Sequence, residues 1–354
     1  MPFLNNAWYA AGWDEELDGG RMLARTILAQ SIVFFRRTDG GVAALRDQCA
    51  HRYAPLHLGR REGDTIRCPY HGLQYDGSGR CIDSPQKSPI SGIFVRSYPA
   101  EERDGLIWIW MGDPDKVRVD LIPDYRFYSD AKPSCRFRDY IRSAGHYELM
   151  SDNIMDLSHI DFLHPTSLGP GSISTARPKV TASGDTLHIK WEGTAQKAAP
   201  IYDPFLPEPG GLVDQELEVV WRPAAVMFLQ NRMTPVGYPR EESIVGSSAH
   251  LMTPESETAT HYFFLGIRNF DVDNGDGNAA RAAMIKQAFV LEDKPMVEAV
   301  QESMGGCTDL LDRLGAYMPA DAGALRARKL LRKLIQQELA GAEHVPQMSG
   351  SPDR

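Results

Sequence analysis

Two short cysteine–histidine pairs constrain this chain more than any other feature. Cys49 precedes His51 by two positions and Cys68 precedes His71 by three, within CAHRYAPLHLGRREGDTIRCPYHG. Four donors on two loops can share one metal group only if a small, rigid scaffold holds the loops together. The flanking sequence reads as such a scaffold. SIVFFRR (31–37) turns at Thr38-Asp39-Gly40-Gly41 into VAALRD, and LIWIWMG (106–112) follows Asp104-Gly105. Asp-Gly supplies the positive φ that a tight hairpin requires. A small antiparallel β domain is therefore expected over residues 1–115, with 49–72 as two loops on it. The Pro- and Asp-punctuated GDPDKVRVDLIPDY (112–125) has neither helical nor alternating period and marks the boundary.

Composition narrows what those pairs can hold. Five cysteines in 354 residues do not make a disulfide framework, so close Cys/His pairs point to metal. Cys81, Cys135 and Cys307 are expected to be ordinary buried thiols, and His57 a loop or surface histidine rather than a fifth ligand. Zinc would accept two thiolates and two imidazoles, but structural zinc sites usually pair like ligands. Here each loop offers one of each. A Rieske [2Fe-2S] cluster explains the mixture, because two thiolates hold one iron and two imidazoles the other. Pro69 and Gly72 shape a tight loop around either metal and do not discriminate.

Net charge is −9 with dispersed basic residues, so no nucleic-acid or anionic-membrane footprint is present. No apolar run approaches the roughly 20 residues of a membrane span, and the N-terminus lacks a secretory pattern. A cytoplasmic protein is expected.

Beyond the boundary, residues 116–345 read as a second α+β domain. Helical patterning covers about 146–163, strands return at KVTASGDTLHIKWEG, ELEVVWRPAAVMFLQNRM and SIVGSSAHLMTPESETATHYFFLGIRNF, and helices follow at 279–303 and 321–340. A larger antiparallel sheet flanked by helices is implied. The run Arg326, Arg328, Lys329, Arg332 and Lys333 is expected to be a solvated face. Residues 346–354 are expected to form a flexible tail.

DNIMDLSHIDFLHP (152–165) carries a second constellation. Asp156 and His159 share a face on an ideal helix, but His164 lies five beyond His159, a rotation of roughly 140°. The two imidazoles converge only if a π-type turn intervenes or the helix ends just before Pro165. Two structural histidines near a helix end are the plain alternative.

Taken together, the CxH and CxxH pairs and this second motif resemble the Rieske non-haem iron oxygenases. NNAWYAAG and YHGLQYDGSGRC are similar to the demethylase-type group that acts on vanillate and dicamba. The resemblance implies an N-terminal antiparallel β Rieske domain and a helix-grip catalytic domain. It also implies a mononuclear Fe(II) held by His159, His164 and Asp293, a two-histidine, one-carboxylate set that leaves positions open for dioxygen. Helical period alone leaves Glu292 as a rival to Asp293. Asn153 and Asp156 are the implied catalytic residues, with Asp156 linking His71 of one subunit to His159 of the next in a homotrimer.

The implied reaction is monooxygenation of a small aromatic acid, by O-demethylation of a methoxy group. Ring or methyl hydroxylation, or a non-catalytic Rieske electron carrier, are the alternatives. No G-x-G-x-x-G follows a strand, so neither NAD nor flavin is expected on this chain, and a separate ferredoxin or flavin/iron-sulfur reductase must supply electrons. Leu229, Asn231, His250 and Met284 are the substrate-pocket candidates.

Overall fold

The computed structural model describes residues 3–87, 89–312 and 315–343, with side chains through Gly341. The 346–354 tail lies outside the described residues. Eleven strands build the N-terminal part: β1 (Trp8–Trp13), β2 (Met22–Ile27), β3 (Gln30–Arg36), β4 (Val42–Arg46), β5 (Arg60–Glu62), β6 (Thr65–Arg67), β7 (Gln74–Asp76), β8 (Cys81–Asp83), β9 (Ser97–Tyr98), β10 (Ala100–Arg103) and β11 (Leu106–Trp110). They form three antiparallel sheets, ordered β1-β11-β10, β2-β3-β4-β9 and β5-β6-β7-β8. At the β10–β11 turn Asp104 and Gly105 both take positive φ, 54° and 79°, as the Asp-Gly pair predicts.

After a strand-free segment holding the short α1 (Arg126–Ser129), seven strands form a fourth, larger sheet. These are β12 (Arg136–Ser143), β13 (Lys179–Ser183), β14 (Thr186–Lys197), β15 (Leu212–Arg222), β16 (Val226–Pro235), β17 (Ile244–Ser256) and β18 (Ala259–Arg268), in the order β12-β18-β17-β16-β15-β14-β13. Helices α2 (Tyr147–Met155), α3 (Ile160–Leu163), α4 (Gly275–Gln287), α5 (Lys294–Ser303) and α6 (Ala322–Glu343) complete the domain. The alternation of β14 to β17 puts Leu217, Met227 and Met252 into a core shared with Ile154, Val297 and Leu331 of the helices. None of the described helices is long and apolar enough to cross a membrane.

Two features differ from the sequence reading. The two domains share a core: Trp8, Trp13, Trp108 and Trp110 cluster with Leu251, Phe263 and Leu265 of the large sheet. The basic run of α6 is not a solvated face throughout. Arg328 is buried and pairs with Asp152, while Arg332 bonds Asp309 at 2.5 Å, because their helix side packs against α2 and the 309 loop.

Candidate metal centres

The first centre sits on the loops β4–β5 and β6–β7. Cys49 N–H donates to Ala54 O at 2.9 Å, and Cys68 N–H to Leu73 O at 2.8 Å, which closes each loop. Gly72 has φ +75° and its Cα lies so near Pro85 that a Cβ would approach the proline ring to 2.7 Å, so the second loop needs glycine there. Cys49 and Cys68 are buried, whereas His51 is exposed and His71 half-buried, with ring centroids 4.6 Å apart. Sulfurs inside and imidazoles at the rim form the two like pairs that a two-iron cluster needs.

Burial pushes the Cys68 thiol up, opposed by main-chain amides of Tyr70 and His71 aimed at its sulfur. Those donors suit an electron-rich sulfur. Tyr75 OH lies 3.2 Å from Cys49 Sγ, a contact the sequence reading missed, although Tyr75 follows Leu73 at strand period into the same core. His57 takes no part: its Nδ1 pairs with buried Asp47, which also accepts from His57 N at 2.8 Å. Cys81 and Cys135 are buried free thiols, while Cys307 is only half-buried.

The second centre depends on two broken helices. α2 stops at Met155 because Asp156 adopts φ −115°, ψ 92°, and its Oδ1 caps Ser158 N–H at 2.9 Å. A 3₁₀ turn over Leu157–His159 leads into α3, which ends at His164 before Pro165. The helix end, not a π turn, thus lets the imidazoles converge, with centroids 5.4 Å apart. The π turn lies instead at Ala288–Asp293, between α4 and α5. Pro295 explains its position, since a proline lacks the N–H for Leu291 and crowds that carbonyl.

Asp293 is buried and its Oδ1 stands 3.0 Å from His164 Nε2 and 3.4 Å from His159 Nε2. The ligand atoms of these three residues lie within 4.8 Å of one another, the one such group among the described residues. Both histidines are tied at the other nitrogen, His159 Nδ1 to Asp156 O at 2.6 Å and His164 Nδ1 to Glu292 Oε2. Carbonyl and carboxylate oxygens accept from Nδ1–H, so a metal that displaces the Nε2 proton from each ring would meet two lone pairs aimed at a shared point. Asn153 Nδ2 donates to Asp293 Oδ1 at 2.8 Å.

Burial raises the Asp293 carboxyl, but hydrogen bonds from His159 and His164 outweigh it and hold the group well below the usual carboxylate range. Burial lowers His164, and Asp293 with Glu292 outweigh that and raise it. Glu292 stands behind His164 at Nδ1, and Asp293 is the carboxylate that faces both Nε2 atoms. Asp156 also differs: its main-chain oxygen, not its carboxylate, meets His159, because the shared helix face breaks at that residue.

An apolar-lined cavity of about 130 Å³ reaches the three residues from the sheet side. Pairing across β15, β16 and β17 sets Leu217 opposite Asn231, Leu229 opposite Ser248 and Met227 opposite His250. Leu229, Asn231 and His250 line the cavity. Met284 does not. It is 41% exposed, and the next residue round the helix, Ile285, lines the wall with Phe289. His250 Nε2 meets Ser248 Oγ at 2.8 Å and Nδ1 meets Tyr262 OH at 2.6 Å. Burial pushes its imidazole down to about 3, so it is uncharged.

A β-sheet cluster domain joined to a mononuclear non-haem iron domain defines a Rieske oxygenase, and the comparisons agree. Residues 7–99 match the Rieske [2Fe-2S] domain and residues 143–337 the vanillate O-demethylase oxygenase C-terminal domain. The chain is 34% identical to the toluene-4-sulfonate monooxygenase iron-sulfur subunit of Comamonas testosteroni, covering 96% of this chain and 99% of that one. It is 34% identical to the dicamba O-demethylase oxygenase component of Stenotrophomonas maltophilia, covering 96% and 100%. Dicamba monooxygenase bound to 3,6-dichlorosalicylic acid superposes with a TM-score of 0.87 at 33% identity, again over 96% and 100%. That enzyme has also been crystallised with non-haem iron and dicamba. This chain belongs to the Rieske non-haem iron oxygenase family, with a [2Fe-2S] cluster and mononuclear iron as its cofactors.

Proposed function

We propose that this chain is the terminal oxygenase of a multicomponent system that removes a methyl group from an aromatic methoxy substrate. The carrying observation is the convergence of His159, His164 and Asp293 at the end of an apolar cavity, in a chain that also bears the two Cys/His pairs. His159 Nε2, His164 Nε2 and an Asp293 oxygen would hold Fe(II), and Cys49, Cys68, His51 and His71 would hold the cluster. Iron bound there supplies open positions for dioxygen, and the cluster supplies electrons. The protein's own part is to exclude water with Leu157, Ile160, Ile285 and Phe289, and to orient the methoxy carbon from the sheet wall. One oxygen atom enters that carbon, the second leaves as water with two electrons and two protons, and the hemiacetal collapses to formaldehyde and a phenol.

The two electrons come from a separate ferredoxin or reductase. Exposed Tyr53, Leu58 and Tyr70 around the imidazole rim, and exposed Phe162, Leu291 and Met296 beside the iron residues, support a head-to-tail ring. In that trimer His71 of one protomer donates to the Asp156 carboxylate of the next. The test is formaldehyde release from a panel of methoxylated aromatics, with dioxygen and a reductase. Release matched by a phenol is expected, and release from no member, with both metals loaded, removes demethylation as the reaction.

A further inference from the structure

We infer that Tyr202 is a specificity-determining residue of the cavity, its hydroxyl donating a hydrogen bond to a carboxylate on the aromatic ring of the substrate. The inference rests on reading this cavity as the substrate site, and it names the group that holds an acid there.

The place of the hydroxyl is the first argument. Tyr202 lies on the loop between β14 and β15, where its N–H donates to Ala199 O at 2.9 Å and Ile201 N–H donates to Ser167 O at 3.0 Å. Leu168 N–H donates in turn to His164 O at 3.1 Å, so the loop is tied to the segment that follows one of the iron-site histidines. The ring meets Phe270 edge-on, with centroids 5.9 Å apart, and lines the cavity. Its hydroxyl ends against Gly246 of β17, where a Cβ would stand 2.7 Å from the phenol oxygen. Gly246 is paired on both sides, with Asn231 and Arg268, and has no positive φ, so its backbone does not call for glycine. A strand glycine of this kind marks a close approach, here that of the Tyr202 oxygen.

The sense of the hydrogen bonds is the second. Gln215 Nε2 donates to Asn231 Oδ1 at 3.1 Å, which leaves Asn231 its NH2 for other partners. Burial pushes the Tyr202 phenol up to about 12, opposed by a hydrogen bond from Asn231. At neutral pH the phenol therefore keeps its proton. With its oxygen accepting from Asn231, that hydrogen is left to give to a ligand. Asn231 also lines the cavity and has a second N–H. Donors meeting at one corner suit a carboxylate, and bonds to a charged acceptor are the stronger kind. Iron bound at Asp293 adds a cation to the same chamber, so a substrate anion is not left without a counter-charge.

The experiment uses holoenzyme loaded with both metals, its cluster oxidised so that nothing turns over. Calorimetric titration compares 2-, 3- and 4-methoxybenzoate with the corresponding methoxytoluenes, which keep the ring and ether but lack the carboxylate. At least one benzoate is expected to bind. Tyr202→Phe should weaken it by roughly ten- to hundred-fold, with methoxytoluene affinity, iron content and cluster EPR unchanged. Gly246→Ala crowds the hydroxyl and should weaken the same benzoate, yet add nothing in the Tyr202→Phe background, where the nearest ring carbons stand 3.5 Å from the added carbon. A merely structural role would weaken both ligands alike. Equal losses for the two ligands, a benzoate affinity indifferent to Tyr202→Phe, or binding of no benzoate overturns the proposal. If Gly246→Ala fails to fold, the Tyr202→Phe comparison decides alone. Formaldehyde is assayed separately under turnover: a benzoate that binds through Tyr202 and yields none ends the demethylation reading and leaves Tyr202 in its role, and formaldehyde from a benzoate indifferent to Tyr202→Phe does the reverse.

Discussion

The two metal regions bring donors together by opposite routes. Around the cluster, all four come from residues 49–71, on loops between strands of three to five residues whose ladders fix the backbone at both ends. At the candidate iron site 129 residues separate His164 from Asp293: the histidines lie on a 3₁₀ turn and at the end of α3, beyond the cap that stops α2, and Asp293 lies on a helix widened ahead of a proline. A local site is set by loop geometry. A distant one is set by packing, and it needs partners behind each ligand to fix the orientation that the backbone does not.

The largest effect expected follows from the distant route. Asp293→Ala removes the one carboxylate that meets both imidazoles, so mononuclear iron and turnover should both be lost while the cluster keeps its EPR signal. Iron analysis and EPR on one sample check this. Retained mononuclear iron would show that His159 and His164 suffice, and the contrast between the regions would fail.

Cys68→Ser is the converse, expected to remove the brown chromophore, because an alkoxide is a poor exchange for thiolate at a soft iron–sulfur site. Fe(II) binding to the second domain should persist. The shared aromatic core makes this a demanding test: if packing of Trp13 against Phe263 couples the domains tightly, Fe(II) binding falls as well, and the regions are not independent.

The same contrast explains what could be read in the sequence. Spacing singled out Cys49, His51, Cys68 and His71 as candidates, and sequence pattern marked β3, β4, β11 and β13 to β18, because both signals are local. Spacing left two routes by which His159 meets His164, a π turn or a helix end before Pro165, and the structure takes the second; what nothing in DNIMDLSHIDFLHP says is that Asp156 leaves the helix. Nor could it separate Asp293 from Glu292, because the π turn shifts the register by about one residue and no periodic template contains it. Met284 failed for a similar reason, one step of helix rotation from Ile285. The buried pair of Arg328 with Asp152 was not within reach, because a basic run shows charge and not packing.

Asp156→Asn probes the link between the regions. If the carboxylate accepts from a neighbouring His71, the amide presents an NH2 to another donor, and transfer from reduced cluster to iron should slow while both metal contents hold. Wild-type turnover would exclude this route.

Glu292→Ala should have a smaller effect than Asp293→Ala. Loss of the oxygen behind His164 Nδ1 is expected to weaken iron binding by roughly ten- to hundred-fold, with Glu292→Gln recovering much of it because its amide oxygen still accepts. Fe(II) titration of the apoprotein checks both. Equal affinities for wild type and Glu292→Ala would leave His164 oriented by packing alone, as the cluster ligands are by their loops.

Tyr75→Phe is the smallest change and the sharpest for the local site. Tyr75 OH lies 3.2 Å from Ala50 N as well as from Cys49 Sγ. Because Ala50 N–H must donate to the phenol oxygen, the phenol hydrogen is free for the sulfur. A hydrogen bond to a ligating sulfur stabilises the more electron-rich reduced cluster, so its removal lowers the reduction potential. A neutral hydrogen bond contributes about 1 kcal/mol, equivalent to a drop on the order of 40 mV for one electron. Redox titration followed by EPR measures the shift, and Fe(II) affinity at the other centre should not move. An unchanged potential would mean that the Tyr75 hydrogen is not given to Cys49, and a shift accompanied by weaker Fe(II) binding would mean that the local site is not local.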